Sequence, residues 1–300
     1  MDFKKAEFMG CTVVLKDCTN FNVKQTLECG QCFRWRKTQE DSYILVAHER
    51  VIELKQDGDD VIILNSDKND FENIWIDYFD LERDYSKIKE KLSKDELLKK
   101  AVEYGHGIRI LNQDPYEILI SFIISARNSI PAIMKTIARI SEKWGNPIEY
   151  KGEIYYSFPS AEVFVNGTVE EIKETGASFR SKYIYDTLKR LAGPKGEKND
   201  ELKYSLERIA SLQDDICHTE LQNFKGVGAK VADCIMLFSM RKYSAFPVDV
   251  WVKRAMQHFY LAPDVSLAKI RGFGREKFGI LSGFAQQYLF YYARENNIKI

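Results

Sequence analysis

No run of the 300 residues stays apolar for the roughly 20 positions a bilayer-spanning helix needs, and the N-terminus, MDFKKAEF, has no apolar signal core. A soluble chain working in the cytoplasm is therefore expected. An excess of one charge is missing too: 44 basic residues face 44 acidic ones, which argues against a general polyanion binder. Cysteine is sparse and badly spaced for a cluster. Beyond Cys29 and Cys32 there is no second close pair, and no cysteine follows Cys234, so a four-cysteine zinc or iron–sulfur site is set aside. The pair itself, CGQC, superficially matches a dithiol redox motif, but such a motif belongs at the start of a helix in a βαβ unit. Here it runs into CFRWRK, which alternates like a strand. No repeat or low-complexity tract is evident.

What is present suffices for a sizeable core, since 45% of the residues are hydrophobic. The balanced charge is unevenly spread. From Leu221 to Ile300 there are 12 Lys or Arg and 5 Asp or Glu, a surplus of +7, so the first 220 residues carry −7. A basic C-terminal part suits a phosphate-facing surface, and equally an ordinary solvated face.

The first 65 or so residues alternate with period two in CTVVLKD, CFRWRK, SYILVAHE and RVIELKQDGDDVIILN, the last with an Asp-Gly turn at Asp57 and Gly58. After Asp70 the period becomes helical, through FENIWIDYF, YSKIKEKLSKDELLKKAVEYG and a long apolar stretch from Pro115 to Trp144. Everything beyond reads as helix after helix, with GPKGEKND (193–200) as a polar loop. The expected class is α+β: an N-terminal antiparallel β-sheet domain with flanking helices (1–95), then a mostly helical body (96–300).

Within that body, LQNFKGVGAKVADC is distinctive. One helix should end near Phe224 and another begin near Ala229, leaving Lys225 to Gly228 as a hairpin whose Gly226 and Gly228 allow φ values that a side chain forbids. A glycine-lined turn into a helix N-terminus can grip a phosphate through free N–H groups, and can also be a mere connector. Lys230 sits in the first turn, where the helix dipole and partial burial favour its neutral, nucleophilic amine, although a lysine there is commonly just solvated. Cys234, four residues on, shares its face. Nineteen residues after Lys230, in SAFPVDVWVKRAM, Asp249 stands where a carboxylate caps a helix and stays ionised. Hairpin, lysine and Pro-Val-Asp in this order are far more specific than any one alone.

GVGAKVADC followed by FPVDV resembles the helix-hairpin-helix DNA glycosylase superfamily. GQCFRWR, QDPYEILISFIISARNSI and SGFAQQYLF extend the resemblance over nearly the whole chain and make it similar to the 8-oxoguanine DNA glycosylase/AP lyase family. The resemblance implies a partner, double-stranded DNA containing 8-oxoguanine, and a base flipped out of the stack. It implies that Lys230 attacks C1′ and forms a Schiff base, with Asp249 stabilising positive charge on the sugar. For the base it implies Phe290 on one face, Cys234 on the other, Gln286 at the Watson–Crick edge, and the Gly30 carbonyl accepting from N7–H, with Gln31 behind it. For DNA it implies Gly226, Val227 and Gly228 of the hairpin (about 217–240), an aromatic wedge at Phe179, and Arg180. His258 is a possible phosphate contact, and Trp251, standing where eukaryotic relatives have a histidine, is given no role. No cofactor and no side-chain metal are implied, only a possible cation at the hairpin backbone, 225–228; a monomer is expected.

Departures from the family pattern bear on the base opposite the lesion. The residue that fills the vacated stack, an Asn in the family, corresponds to Arg127, with Asn128 next. Ala132 stands where eukaryotic members place an Arg on the orphaned cytosine. Both changes point to a relaxed preference for cytosine. Two alternatives stand beside this reading: a related glycosylase for another damaged base, and a helix-hairpin-helix DNA-binding protein without catalysis.

Overall fold

The computed structural model describes residues 1–192, 203–261 and 264–298; the polar loop expected at 193–200 lies outside the described residues. Six strands form one antiparallel sheet: β1 (Lys5–Met9), β2 (Thr12–Lys16), β3 (Trp35–Lys37), β4 (Tyr43–Ala47), β5 (Arg50–Asp57) and β6 (Asp60–Leu64). Their order is β1-β2-β6-β5-β4-β3. The expected Asp-Gly turn closes β5 on β6, with Asp57 opposite Asp60 and Gly58 at φ +58°. Between β2 and β3 lies a short helix, α1 (Val23–Glu28), capped by Asn22, whose side chain accepts from Gln25 N. CGQC therefore follows a helix C-terminus, the wrong end for a redox dithiol. Cys29 and Cys32 are both buried and unpaired.

One sheet face packs on Trp75, Phe71 and Phe79. The other, at Ile44, Val46 and Val51, packs against a β-hairpin inserted in the helical part, β7 (Pro147–Tyr150) and β8 (Glu153–Tyr156). This hairpin corrects the expectation of nothing but helices after Asp70. It explains why β4 is buried along its whole length. Buried Glu53 fastens it to the sheet, accepting from Ser42 Oγ (2.6 Å), Tyr150 OH (2.9 Å) and Lys151 Nζ (2.6 Å). Those bonds outweigh desolvation and bring the carboxyl down to about 2.

The helical run read from Tyr85 breaks into α2 (Tyr85–Leu92) and α3 (Glu96–Tyr104), because Asp95 accepts from Leu97 N and Leu98 N and starts a new helix. The helices that build the site are α4 (Pro115–Ser125), α5 (Ile130–Trp144), α6 (Ser181–Ala192), α7 (Asp214–Leu221), α8 (Ala229–Ser239), α9 (Val250–Phe259), α10 (Leu267–Phe278) and α11 (Ser282–Glu295). The sheet core and helical core meet along residues 107–113. There Gln31 donates to Thr26 O (2.9 Å) and Arg109 O (2.7 Å) and accepts from Leu111 N (2.9 Å). Arg109 is wholly buried; its guanidinium binds Asp2, Phe79 O and Asp80 O and lies 4.1 Å from the centre of the Tyr85 ring.

Candidate active site

The connection between α7 and α8 is longer than expected. The first helix ends at Leu221, not near Phe224, because Gln222, Asn223 and Phe224 each donate to the carbonyl three residues back, narrowing the chain towards the turn. Gly226 has φ +87°, and a Cβ there would lie 2.8 Å from Tyr183 Cδ2, so only glycine fits. Gly228 is different: its backbone is extended (φ −96°), and a Cβ would meet nothing within 4 Å. Its use is open space at the N-terminus of α8. Behind that helix, fully buried Asp233 holds Arg271 through two bonds of 2.6 and 2.9 Å.

Lys230, in the first turn of α8, faces a hollow of about 130 Å³. Such a volume is far below the ~300–1,000 Å³ of a drug-sized site, so a single ring system is its natural occupant. Around it the fold brings together Gly30, Asn128, Lys230, Cys234, Asp249, Gln286 and Phe290. Aromatic rings line it: Phe33 meets Phe122 edge-on, Phe122 stacks on Phe238 at 5.7 Å, and Lys230 Nζ lies 5.1 Å from the centre of Phe122. Gly30 has φ +78°, and a Cβ would lie 3.2 Å from Phe290 Cε1, so ring and backbone are in direct contact.

The titratable groups separate by role. Burial pushes the Cys234 thiol up to about 11 despite the Lys230 charge beside it, so at neutral pH it is a packing thiol and not a nucleophile. Asp249 caps α9, accepting from Val252 N (2.8 Å) and Trp251 N (3.0 Å). Its carboxyl nevertheless lies above the usual range, because burial outweighs the two amides and Lys230. Capping alone therefore does not set its charge, as the spacing had suggested. Gln286 is 4% exposed, and its Oε1 is buried without a hydrogen-bond partner among the described residues.

Other expected residues lie elsewhere. Phe179 is half exposed and meets Tyr183 edge-on. Arg127 is exposed with φ +52°, while the following Asn128 lines the hollow. Val227 is buried and His258 exposed. Arg180, expected to contact DNA, is 5% exposed and donates to the carbonyls of Ala126 and Arg127; it clamps the loop that presents Arg127 and Asn128. Sequence reasoning missed Phe33, Phe122, Phe238 and Gln287 in the wall. Phe122 and Phe238 sit in apolar runs indistinguishable from core and Phe33 in the alternating CFRWRK, but a second glutamine in SGFAQQYLF was a legible signal.

A larger hollow, about 550 Å³, lies between β3, β4, α5 and β8. Its Arg34 and Arg36 are already bound to Glu117 and Glu153, and neither Lys230 nor Asp249 lines it. Size alone is thus a poor guide to the chemistry. Among the described residues, no group of three His, Cys, Asp or Glu side chains is placed to hold a metal, and no helix is long and apolar enough to cross a membrane.

Residues 13–119 match the family of the 8-oxoguanine DNA glycosylase N-terminal domain, and residues 120–289 the HhH-GPD superfamily of base excision DNA repair proteins. The chain is 33% identical to the N-glycosylase/DNA lyase OGG1 of Arabidopsis thaliana, over 91% of its own length and 77% of the plant protein. A probable N-glycosylase/DNA lyase of Methanothermobacter thermautotrophicus is 31% identical, over 73% and 72%. Among solved structures, the 8-oxoguanine glycosylase/lyase of Clostridium acetobutylicum, bound to double-stranded DNA with cytosine opposite 8-oxoG, superposes with a TM-score of 0.94. It is 56% identical, over 99% of this chain and all of that one.

Proposed function

The chain belongs to the 8-oxoguanine DNA glycosylase family of the HhH-GPD superfamily, and from that premise we propose how its residues divide the work. It is a base-excision repair enzyme, an 8-oxoguanine DNA glycosylase with AP lyase activity, and its substrate is double-stranded DNA containing 8-oxoguanine. A cytoplasmic place of action, beside the chromosome, goes with that substrate.

A purine within a duplex hides its glycosidic carbon, so the nucleotide must leave the stack at a cost of a few kcal/mol. Phe290 offsets this by stacking, worth about 1–3 kcal/mol per base, with Cys234 on the opposite face. Lys230, once it has given up its proton, places its lone pair on C1′ as the C1′–N9 bond breaks and the bonding electrons leave with the base. Proton loss from nitrogen and opening of the sugar then give a Schiff base. Removal of a C2′ proton expels the 3′ phosphate by β-elimination. Asp249, when ionised, is a fixed negative charge beside the sugar as positive charge develops there. The Gly30 carbonyl tells 8-oxoguanine, which carries a proton on N7, from guanine, which presents a lone pair.

One observation carries the choice of base: the partnerless, buried Oε1 of Gln286 in the hollow that Lys230 faces. An orphaned acceptor is costly unless a donor arrives, and the Watson–Crick edge of a guanine supplies donors at N1 and N2. On the DNA side, Phe179 is the wedge and the open backbone at Gly228 the phosphate grip. Any hairpin cation would be held by backbone carbonyls and phosphate alone, with those of Phe224 and Gly228 already accepting from Val227 N and Ala232 N. Exposed Ala132 offers no donor to an orphaned cytosine, which supports relaxed opposite-base preference.

Borohydride trapping tests both parts. Incubated with duplexes carrying 8-oxoguanine opposite each of the four bases, the protein gives a covalent adduct that Lys230→Gln and an undamaged duplex do not, with modest spread among the four. Base release without an adduct would move the chemistry to water activated by Asp249. A sharp preference for cytosine would overturn the relaxed reading alone.

A further inference from the structure

The wall of the hollow that contains Gly30 is built by two segments far apart in the chain, the loop after α1 and the helix α11. Gln287 Nε2 donates to the Cys29 carbonyl at 2.8 Å, and Arg294 donates to the Glu28 carbonyl at 2.7 Å. Between these two bonds the Phe290 ring lies against Gly30, and the Arg294 guanidinium is 5.2 Å from the centre of that ring. From its other side the loop is anchored by Gln31, bound to Arg109 O and Leu111 N. Gln287 itself is 2% exposed and lines the hollow.

The Cys29–Gly30 peptide precedes a residue at φ +78°, and a rotation of that peptide changes φ at Gly30 directly. A carbonyl that tells a proton from a lone pair must hold its direction, because the hydrogen bond weakens steeply away from linearity. A glycine in a loop has no side chain to hold it. The holding must come from outside the loop, and the Gln287 amide is the group in place to do it.

We propose that Gln287 is a positioning residue for lesion recognition: it fixes the Cys29–Gly30 peptide so that the Gly30 carbonyl faces the flipped base, with Arg294 as a second strut on the same loop. The inference rests on Gly30 acting as the N7–H acceptor. It makes α11 a single ruler on which base stacking (Phe290), the Watson–Crick edge (Gln286) and the discriminating carbonyl (through Gln287) are set at fixed spacing.

The test compares the full-length protein with Gln287→Met, which keeps length and removes the donor. Three quantities are followed: single-turnover release of 8-oxoguanine, competition by an undamaged duplex, and nicking of a duplex with a preformed abasic site, which has no base to recognise. We expect release to fall roughly ten-fold and competition by undamaged DNA to rise, while abasic nicking stays within about two-fold. A merely structural bond predicts release and nicking falling together, and that result, or no change in either, would overturn the proposal. Should Gln287→Met not fold, Arg294→Met gives the same split from the partly exposed end of the helix, and its absence is equally decisive. A wild-type protein that nicks abasic sites but releases no 8-oxoguanine would sink the lesion assignment itself, and the inference with it.

Discussion

Two glutamines in contrasting surroundings set the seam between the cores against the hollow beside it. Gln31 is fully buried and its amide is satisfied on both ends, by Thr26 O, Arg109 O and Leu111 N. Gln286 is almost as buried, and its Oε1 has nothing. The same division holds for charge. Arg109 and Glu53 in the seams are surrounded by partners, and Glu53 titrates far below its ordinary value. Asp249 in the hollow is shifted the other way by burial. Lack of a partner alone does not mark a site, since Trp75 Nε1 and Tyr288 OH are also buried without one in the cores; what sets Gln286 apart is that it lines the hollow that Lys230 faces.

The largest effect that would break this contrast comes from the seam. Arg109→Met strips partners from Asp2 and several carbonyls at once and should cost about 3–5 kcal/mol in denaturant unfolding; a loss below about 1 kcal/mol would mean that the seam is not load-sharing. The two glutamines come next, as a matched pair. Gln31→Leu strips Arg109 O and Leu111 N of their partner and leaves Thr26 O with the Cys29 thiol alone, and should cost about 2–3 kcal/mol, whereas Gln286→Leu removes an orphan and should leave stability within about 0.5 kcal/mol while 8-oxoguanine release falls. Equal destabilisation of the two would erase the distinction. Glu53 is tested by its pH dependence. Its folded value is about 2 against an ordinary 4.5, so its contribution is complete above about pH 4.5 and is lost as pH falls through about 2. Glu53→Gln should flatten that part of the acid-unfolding curve, and an unchanged curve would remove Glu53 from the account.

Local chemistry was legible in the sequence where the signal is a turn or a cap. The hairpin, Lys230 and Asp249 fall within 29 residues, from Leu221 to Asp249, and each announces itself by residue type. What was missed depends on distant partners. Gln287 finds the Cys29 carbonyl 258 residues away, which no spacing rule reports. Arg180 likewise finds its carbonyl partners 53 and 54 residues earlier in the chain. The β7–β8 hairpin is a lesser miss: PIEYKGEIYY carries its own Lys-Gly turn, with Lys151 and Gly152 both at positive φ, but lay in a stretch dominated by helical periods.

The buried sulfurs have one more consequence. Cys29, Cys217 and Cys234 are pushed up to about 11, Cys18 to about 12 and Cys32 well above 9, all chiefly by burial. At pH 7 a thiol titrating near 11 is ionised in only about one molecule in 10⁴, and peroxide attacks the thiolate. The sulfur that lines the hollow, Cys234, and the two on either side of the Gly30–Gln31 pair are thereby kept in the form that oxidants attack most slowly.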